Sequence, residues 1–325
     1  MIDAVLFDMG GVLIGRVSKA LVARARAAAR PFRLDQSVVG PGVPLTDAQW
    51  ARIEPLLPDR TPKRGGRWRD RREVIDAVAH TFQTGTQGVR LPEKYGNWRG
   101  VYNRLRMGAV DGTWERVFTA LGAQGRRRRR RQLGRVGGLH ERACAPAWGR
   151  GPHKKKGAPA GEPDDHAIGR SRGGPTTRIH LAADGRCRPL AFVLTAGQAG
   201  EAPAFPGVMA RLRVPRRGGR PRTRPGVVLA DKACSSRAIR GPLRKRGLRA
   251  VIPERADQQA NRRQRGRAGG GPPGFDREAY RQRNTVERCI NRLKQWRGIA
   301  TRYEKTATIY LAGLHIAGIS LWSAR

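Results

Sequence analysis

Apolar residues recur at the helical period in the first half of the chain and predict four short helices. Thr46 is a good N-cap residue, and the apolar positions from Trp50 to Leu57 follow it before Pro58 ends the run. The same pattern predicts three further helices at about residues 70–84, 98–107 and 112–121. Residues 45–125 are therefore predicted to form an all-helical domain.

Alternating and continuous apolar runs in the second half predict a sheet with flanking helices. Residues 176–182 and 189–195 flank the turn Asp184-Gly185 and predict a β-hairpin. Further along, the pattern predicts a strand, a helix, a second strand and a long helix, at about residues 226–231, 235–245, 248–253 and 276–296. This order predicts an α/β fold with a mixed sheet.

The chain opens with an apolar strand, MIDAVLFDMGGVLI, which contains Asp8 and a glycine pair. These 14 residues resemble the first strand of haloacid-dehalogenase-like hydrolases, in which that aspartate is the nucleophile. Nothing downstream supplies the rest of that fold, because residues 15–44 form a basic, Ala-rich stretch and a Gly/Pro linker. The strand is either the scar of an insertion into a hydrolase gene or an incidental apolar segment.

Charge indicates the partner of the protein. The 325 residues include 66 Lys and Arg against 25 Asp and Glu, a formal net charge of +41, so the chain favours a polyanion such as nucleic acid. Residues 126–131 are six consecutive arginines, and the basic segment 126–160 is predicted to be disordered or to fold only on DNA.

Basic residues on the third predicted helix suggest where DNA binds. They are Arg99, Arg104 and Arg106, and short helices with basic faces suit a helix-turn-helix-like reader of duplex DNA. Residues 45–125 are then expected to bind duplex DNA on their own. A small helical bundle whose charges are only solvated is the alternative.

Cysteine usage and hydropathy bear on the compartment. Four scattered cysteines without CxxC spacing predict neither a zinc site nor a disulfide framework. The longest apolar run, Ala307 to Trp322, is interrupted by His315 and several glycines, so it predicts a buried helix rather than a membrane span. We expect a cytoplasmic protein associated with the nucleoid and no membrane partner.

The long predicted helix carries four polar residues on one face. Tyr280, Arg283, Glu287 and Lys294 lie within about 60° of one another at 100° per residue. Taken alone, such a stripe is most often a solvated ladder of ion pairs.

The spacing of this stripe, Tyr-x2-Arg-x3-Glu-x6-Lys, is the YREK signature of insertion-sequence transposases in the large group named after the fourth insertion sequence. The sequence around it, NTVERCINRLKQWRGIATRYEK, resembles the subgroup named after the fifth, as do LPEKYGNWRGVYNRLR, GEPDDHAIGRSRGGPTTRIHLAADGRCRPLAFVLT and VVLADKACSSRAIR. The resemblance covers about residues 45–125 and 153–322.

The resemblance implies an RNase H-like catalytic core with two aspartates and a glutamate that bind two Mg²⁺ ions. Oxygen ligands suit this hard cation, and a metal pair activates the nucleophile and stabilises the leaving oxygen in phosphoryl transfer. On this match Asp231 and Glu287 are the second and third acids and the metal ligands. Arg283 and Lys294 contact the DNA backbone, and Tyr280 stacks on or orients a base or phosphate. The partners are double-stranded element ends and target DNA, and we expect a homodimer on DNA.

The first acid of the triad is missing from its expected place. It belongs in a strand before Thr176, in a run like Val-Asp-Ser-Thr followed by Arg-Ala-His-Gln-His, where this chain has an arginine run and GRVGGLHERACAPAWGRGPH. If Gln132 to Gly151 are shifted by one base, a consistent set of GC-rich codons restores such a run, with the aspartate codon across Gly138 and Leu139.

We therefore predict five segments: an N-terminal scar, a linker, a helical DNA-binding domain, a frame-shifted basic segment and an incomplete catalytic domain, at 1–14, 15–44, 45–125, 126–160 and 161–325 respectively. The predicted function is transposition by DNA strand cleavage and transfer, in a copy that has lost activity. The alternatives are a basic DNA-binding protein without catalysis and, on Asp8 alone, a haloacid-dehalogenase-like hydrolase.

Overall fold

The computed structural model describes residues 2–7, 43–59, 69–127, 140–143, 162–171, 174–216 and 218–324. The strands in these residues are β1 Ile2–Phe7, β2 His140–Ala143, β3 Gly169–Ser171, β4 Gly174–Ala183, β5 Pro189–Ala196, β6 Pro225–Ala230 and β7 Arg249–Val251. The helices are α1 Asp47–Ile53, α2 Arg71–Thr84, α3 Trp98–Val110, α4 Thr113–Arg127, α5 Glu201–Arg211, α6 Arg237–Lys245, α7 Ala256–Gln264, α8 Arg277–Arg281, α9 Asn284–Lys294, α10 Arg297–Thr301 and α11 Ala307–Ser323.

The predicted helices and the hairpin are present. Thr46 caps α1 with a complete capping box, in which its hydroxyl accepts from the Gln49 amide and the Gln49 side chain accepts from the Thr46 amide. The predicted long helix at 276–296 is interrupted, and two further segments differ from the prediction. The Gly/Pro/Arg-rich stretch after β7 contains helix α7, and residues 140–143 of the predicted disordered segment form β2, paired antiparallel with β4. Pairing with β4 satisfies the backbone hydrogen-bonding groups of β2. The periodicity of apolar residues does not show which strands pair with each other.

The strands form two sheets. In one, β6 lies between β1 and β7 and is parallel to both. In the other, β4 pairs antiparallel with β2, β3 and β5. Strand β1 also lies against β4, so the two sheets adjoin there. The α/β class is therefore present, with a parallel and an antiparallel sheet in place of one mixed sheet.

The N-terminal strand is part of the sheet that carries Asp231. Ile2 is in register with Pro225 and Phe7 with Ala230, so β1 covers the whole length of β6. Asp8 and the rest of the 1–14 segment lie outside the described residues, as do Gly138 and Leu139. The segment that resembles a hydrolase strand thus supplies a parallel neighbour for the transposase-like strand.

Breaking β1 should destabilise the protein. A Leu6→Pro substitution places proline inside the strand, which disfavours the strand, and loss of β1 leaves the backbone of β6 unpaired along one side. We expect unfolding in guanidinium chloride to show a loss of about 2–3 kcal/mol, corresponding to two or three hydrogen bonds. The control is Val43→Pro, at an exposed position outside any helix or strand. Equal unfolding midpoints for the two variants would show that β1 does not support the sheet.

The last helix joins the N-terminal helices to the sheet. Helix α11 is buried on all sides and packs against α1, α2, α3, α4 and strand β5. Two of its glycines allow close contact, because a Cβ at Gly313 or Gly318 would lie within 2.5 Å of the ring of Phe82 or Phe118. None of the helices in the described residues has the length and apolarity needed to cross a membrane.

This packing bears on the expected independence of residues 45–125. Buried side chains from α1 to α4 and from the sheet region belong to one hydrophobic cluster. Residues 45–125 alone would expose the surface that α11 covers, and binding of duplex DNA by the isolated fragment stays a prediction. The sequence could not show this, because a helix that is apolar all round does not indicate what it packs against.

Two buried histidines make the fold sensitive to acid. His315 packs against the rings of Phe118 and Phe192, and burial, with a smaller effect of Arg211, lowers its pKa from 6.5 to about 3. Burial, with a smaller effect of Arg178, lowers the pKa of His180 to about 4. Both side chains are therefore neutral in the folded protein at neutral pH.

Stability should fall as the pH drops below the ordinary histidine pKa. The unfolded chain then takes up protons that the folded chain cannot, at a cost of up to about 1.4 kcal/mol per pH unit for each histidine. We expect His315→Leu to remove about that much of the slope between roughly pH 6 and pH 4.5. The measurement is the free energy of unfolding at several pH values. An unchanged slope would show that His315 titrates normally in the folded state.

Candidate active site

Asp231 follows the buried carboxyl end of strand β6. The preceding residues, Val228 to Ala230, are not exposed to solvent, and the side chain of Asp231 itself is largely buried. Its Oδ1 accepts a hydrogen bond of 2.7 Å from the Lys232 amide. The central position of β6 in its sheet and this hydrogen bond fix where the carboxylate lies.

The helix predicted over residues 276–296 is interrupted in its first half. Helix α8 ends at Arg281 and α9 begins at Asn284, and the backbone between them forms i to i−3 hydrogen bonds, as in a 3₁₀ turn. The Thr285 hydroxyl donates to the Gln282 carbonyl and so competes with the helical pattern. The prediction of one continuous helix is therefore wrong, because side-chain hydrogen bonding of this kind is not visible in apolar periodicity.

Despite the interruption, Tyr280, Arg283 and Glu287 lie together beside Asp231. The Tyr280 hydroxyl donates to Asp231 Oδ1 at 3.2 Å. One terminal nitrogen of Arg283 lies 3.8 Å from Asp231 Oδ2, and the other donates to Glu287 Oε1 at 3.0 Å. A single guanidinium group thus reaches both carboxylates, which come from residues 56 positions apart in the chain.

Lys294, the fourth residue of the stripe, is the last residue of α9. It lies seven residues beyond Glu287, about 10 Å along the same face of α9. The face from Glu287 to Lys294 is therefore long enough to follow a DNA backbone leading away from the two acids.

The two acids suit a divalent cation, but the set is incomplete. Carboxylate oxygens are the ligands that Mg²⁺ prefers. In the described part of the chain, no group of three or more His, Cys, Asp or Glu side chains could hold a metal ion. Both side chains are therefore of the type that binds Mg²⁺, and the described residues provide no third acid that could complete a metal site with them.

Two residues near Asp231 were not singled out from the sequence. Burial raises the pKa of the Cys234 thiol to about 12, with further contributions from Glu201 and Asp231, so this thiol is protonated at neutral pH. Glu201, the first residue of α5, is buried close enough to affect that thiol. No motif marks it, because the contact of α5 with residues 232–234 is a tertiary one.

The three arginines predicted to read DNA face two directions. Arg99 and Arg106 are exposed and, seven residues apart, share one face of α3. Arg104 lies about 140° away and lines a small pocket with Leu57 and Trp114. Arg99 and Arg106 are therefore exposed together, whereas Arg104 is half-buried on another face of α3, and a DNA contact of any of the three stays a prediction.

Comparison with known proteins gives consistent results for both halves of the chain. Residues 45–118 match the family described as "Putative transposase of IS4/5 family", and residues 150–322 match the family described as "Transposase DDE domain". A relative from Brucella ovis, the "Putative transposase for insertion sequence element IS6501", is 26% identical over 147 residues, covering 45% of this chain and 98% of the relative. No solved structure gives a significant match.

These matches confirm the resemblance found in the sequence. The DDE-domain match alone spans more than half of the 325 residues, and it includes β6 with Asp231 and α9 with Glu287. Membership of this family implies a DNA substrate and dependence on a divalent metal. The chain belongs to the DDE transposases and is an insertion-sequence transposase of the group related to the fourth and fifth insertion sequences.

Proposed function

We propose that Asp231 and Glu287 are the second and third acids of the transposition centre and together hold Mg²⁺. The observation that carries this proposal is the Arg283 guanidinium, which lies between the two carboxylates and reaches both. Because one cationic group reaches both carboxylates, Asp231 and Glu287 point towards the same small region, where their negative charges favour a cation. A divalent ion bound there would polarise the scissile phosphate and lower the pKa of a bound water or hydroxyl.

The surrounding side chains position these acids. Tyr280 donates to Asp231 and holds Oδ1 in one orientation, while the Lys232 amide donates to the same oxygen. Arg283 offsets part of the repulsion between the carboxylates and presents a cation where a phosphate approaches. Without metal and DNA, Tyr280 and Arg283 therefore hold the two carboxylates in place. When metal and DNA are bound, the same two side chains would contact the DNA.

Duplex DNA is proposed to extend from this site along α9, where Lys294 would bind its backbone. The exposed face of α3 with Arg99 and Arg106 would provide a second contact with an element end. We further propose that the protein acts as a homodimer on DNA, because the element has two ends and each needs one set of acids.

This copy is proposed to bind DNA without cutting it. Gly138 and Leu139, which stand in place of the first aspartate, have no side-chain metal ligand, and two carboxylates leave a metal pair under-coordinated. A DNA-binding protein without catalysis is therefore the state proposed for the molecule as written. No described residue beyond β1 favours a haloacid-dehalogenase-like activity.

The test combines binding and cleavage by the full chain. We expect a 60-base-pair duplex from the element end to be bound, and a plasmid carrying both ends to stay unnicked in Mg²⁺ or Mn²⁺. A Glu287→Gln variant is the control for contaminating nuclease. Failure to bind DNA would contradict the assignment of substrate, and nicking that Glu287→Gln abolishes would contradict the proposed inactivity.

A further inference from the structure

An arginine-rich cleft lies at the end of β6 opposite Asp231. The chain between α5 and β6 folds back on itself through a bridge between Val214 and Arg222, with backbone hydrogen bonds of 3.0 and 2.9 Å. The Arg246 side chain donates to the Thr223 carbonyl and ties this loop to the end of α6. The loop borders a cleft of about 800 Å³.

The lining of the cleft is strongly cationic. Five of its lining residues are arginines: Arg213, Arg216, Arg220, Arg222 and Arg224. The others are proline, threonine and glycine, so neither an acidic nor an aromatic side chain is among the described residues that line it. Like charges gathered in a cleft raise its affinity for a polyanion, and guanidinium groups match the geometry of phosphate oxygens.

The cleft is separate from the proposed catalytic site. It includes Pro225, the first residue of β6, whereas Asp231 follows the last. Six residues of strand span about 20 Å, so a phosphate bound in the cleft is far from the phosphate at the acids.

We propose that this cleft binds the phosphate backbone of duplex DNA away from the point of cleavage and without regard to sequence. Because none of the described residues that line it is aromatic, these residues offer no stacking surface for unpaired bases, and the cleft favours duplex over single strands. This inference rests on the proposed role in DNA binding and assigns a second anchoring point for the same substrate.

The test measures how DNA binding by the full chain depends on salt. The probe is a 60-base-pair duplex of mixed sequence, and all five arginines are replaced by glutamine. Each lost phosphate contact lowers the slope of log K against log salt by about 0.9, so we expect the slope to fall by roughly 4. Replacing the same arginines by lysine keeps the charge and should leave the slope within about 1 of the wild type.

Each outcome separates this inference from the proposed function. A wild-type chain that does not bind the duplex contradicts the proposed function itself. Binding by wild type with an unchanged slope in the glutamine variant overturns the cleft assignment alone, as does a variant that loses only self-association in sedimentation. If the fivefold variant has a lowered unfolding midpoint, the pair Arg213→Gln and Arg216→Gln, both exposed, should still lower the slope by about 2.

Discussion

Restoring the shifted frame across residues 125–153 should convert the inactive chain into one that cleaves element ends. The repaired chain regains an aspartate in a strand before Thr176, which completes three carboxylates with Asp231 and Glu287. We expect cleavage of a plasmid carrying both ends to rise by roughly 10³-fold or more, the scale on which removal of one member of a catalytic group acts. The measurement is the rate of nicked and linear product formation in Mg²⁺.

The matched control is the repaired chain with Glu287→Ala, which keeps the restored strand but loses the third acid. It should be as inactive as the unrepaired chain, since members of a catalytic group act together and their effects are not additive. Equal cleavage by the repaired and unrepaired chains would show that the missing aspartate does not limit activity. Cleavage that survives Glu287→Ala would place the third acid elsewhere.

Trp322→Ala should cause the largest loss of stability among single substitutions in the last helix. The indole of Trp322 is almost completely buried, donates to the Pro189 carbonyl at 2.8 Å and packs under Gly122 and Gly125 of α4. The Arg188 guanidinium lies 4.0 Å from the ring centroid. Truncating a buried tryptophan leaves a cavity and an unpaired carbonyl, so we expect a loss of about 3–5 kcal/mol in the free energy of unfolding.

The control for this prediction is Met107→Ala, an exposed apolar residue on α3, which should cost less than about 1 kcal/mol. Guanidinium-induced unfolding of the full chain measures both. A Trp322→Ala loss as small as the control would contradict the shared core of the N-terminal helices, the hairpin and α11.

Local patterns in the sequence predicted the helices and the hairpin but not how they assemble. Helix periodicity located α2 and α3 to within a few residues, since burial of one face is encoded locally. The parallel pairing of β1 with β6 joins residues more than 200 positions apart. Local patterns do not show which of the distant strands has an edge open for such pairing. The isolated strand therefore gave a hydrolase-like motif without revealing its place in the sheet.

The residue spacing predicted which side chains belong to the acidic site, but not the local backbone geometry that brings them together. The YREK spacing placed Tyr280, Arg283 and Glu287 on one face, and they do lie together beside Asp231 although the helix is interrupted. Composition did not show that Arg104 lies on another face of α3 than Arg99 and Arg106. The arginine cleft could not be predicted either, because the sequence does not distinguish its five arginines from the many others in the chain. Only the folded loop brings them together.

Binding of Mn²⁺ to the full chain, followed by the electron paramagnetic resonance signal of the free ion, tests most directly whether Asp231 and Glu287 form one site. We expect Asp231→Asn and Glu287→Gln each to abolish binding of the same Mn²⁺ ion. The double variant should then bind as much Mn²⁺ as either single variant. Glu115→Gln, at an exposed acid on α4, should bind as the wild type does. Losses that add in the double variant, or single variants that still bind the ion, would contradict a shared metal site and with it the proposed transposition centre.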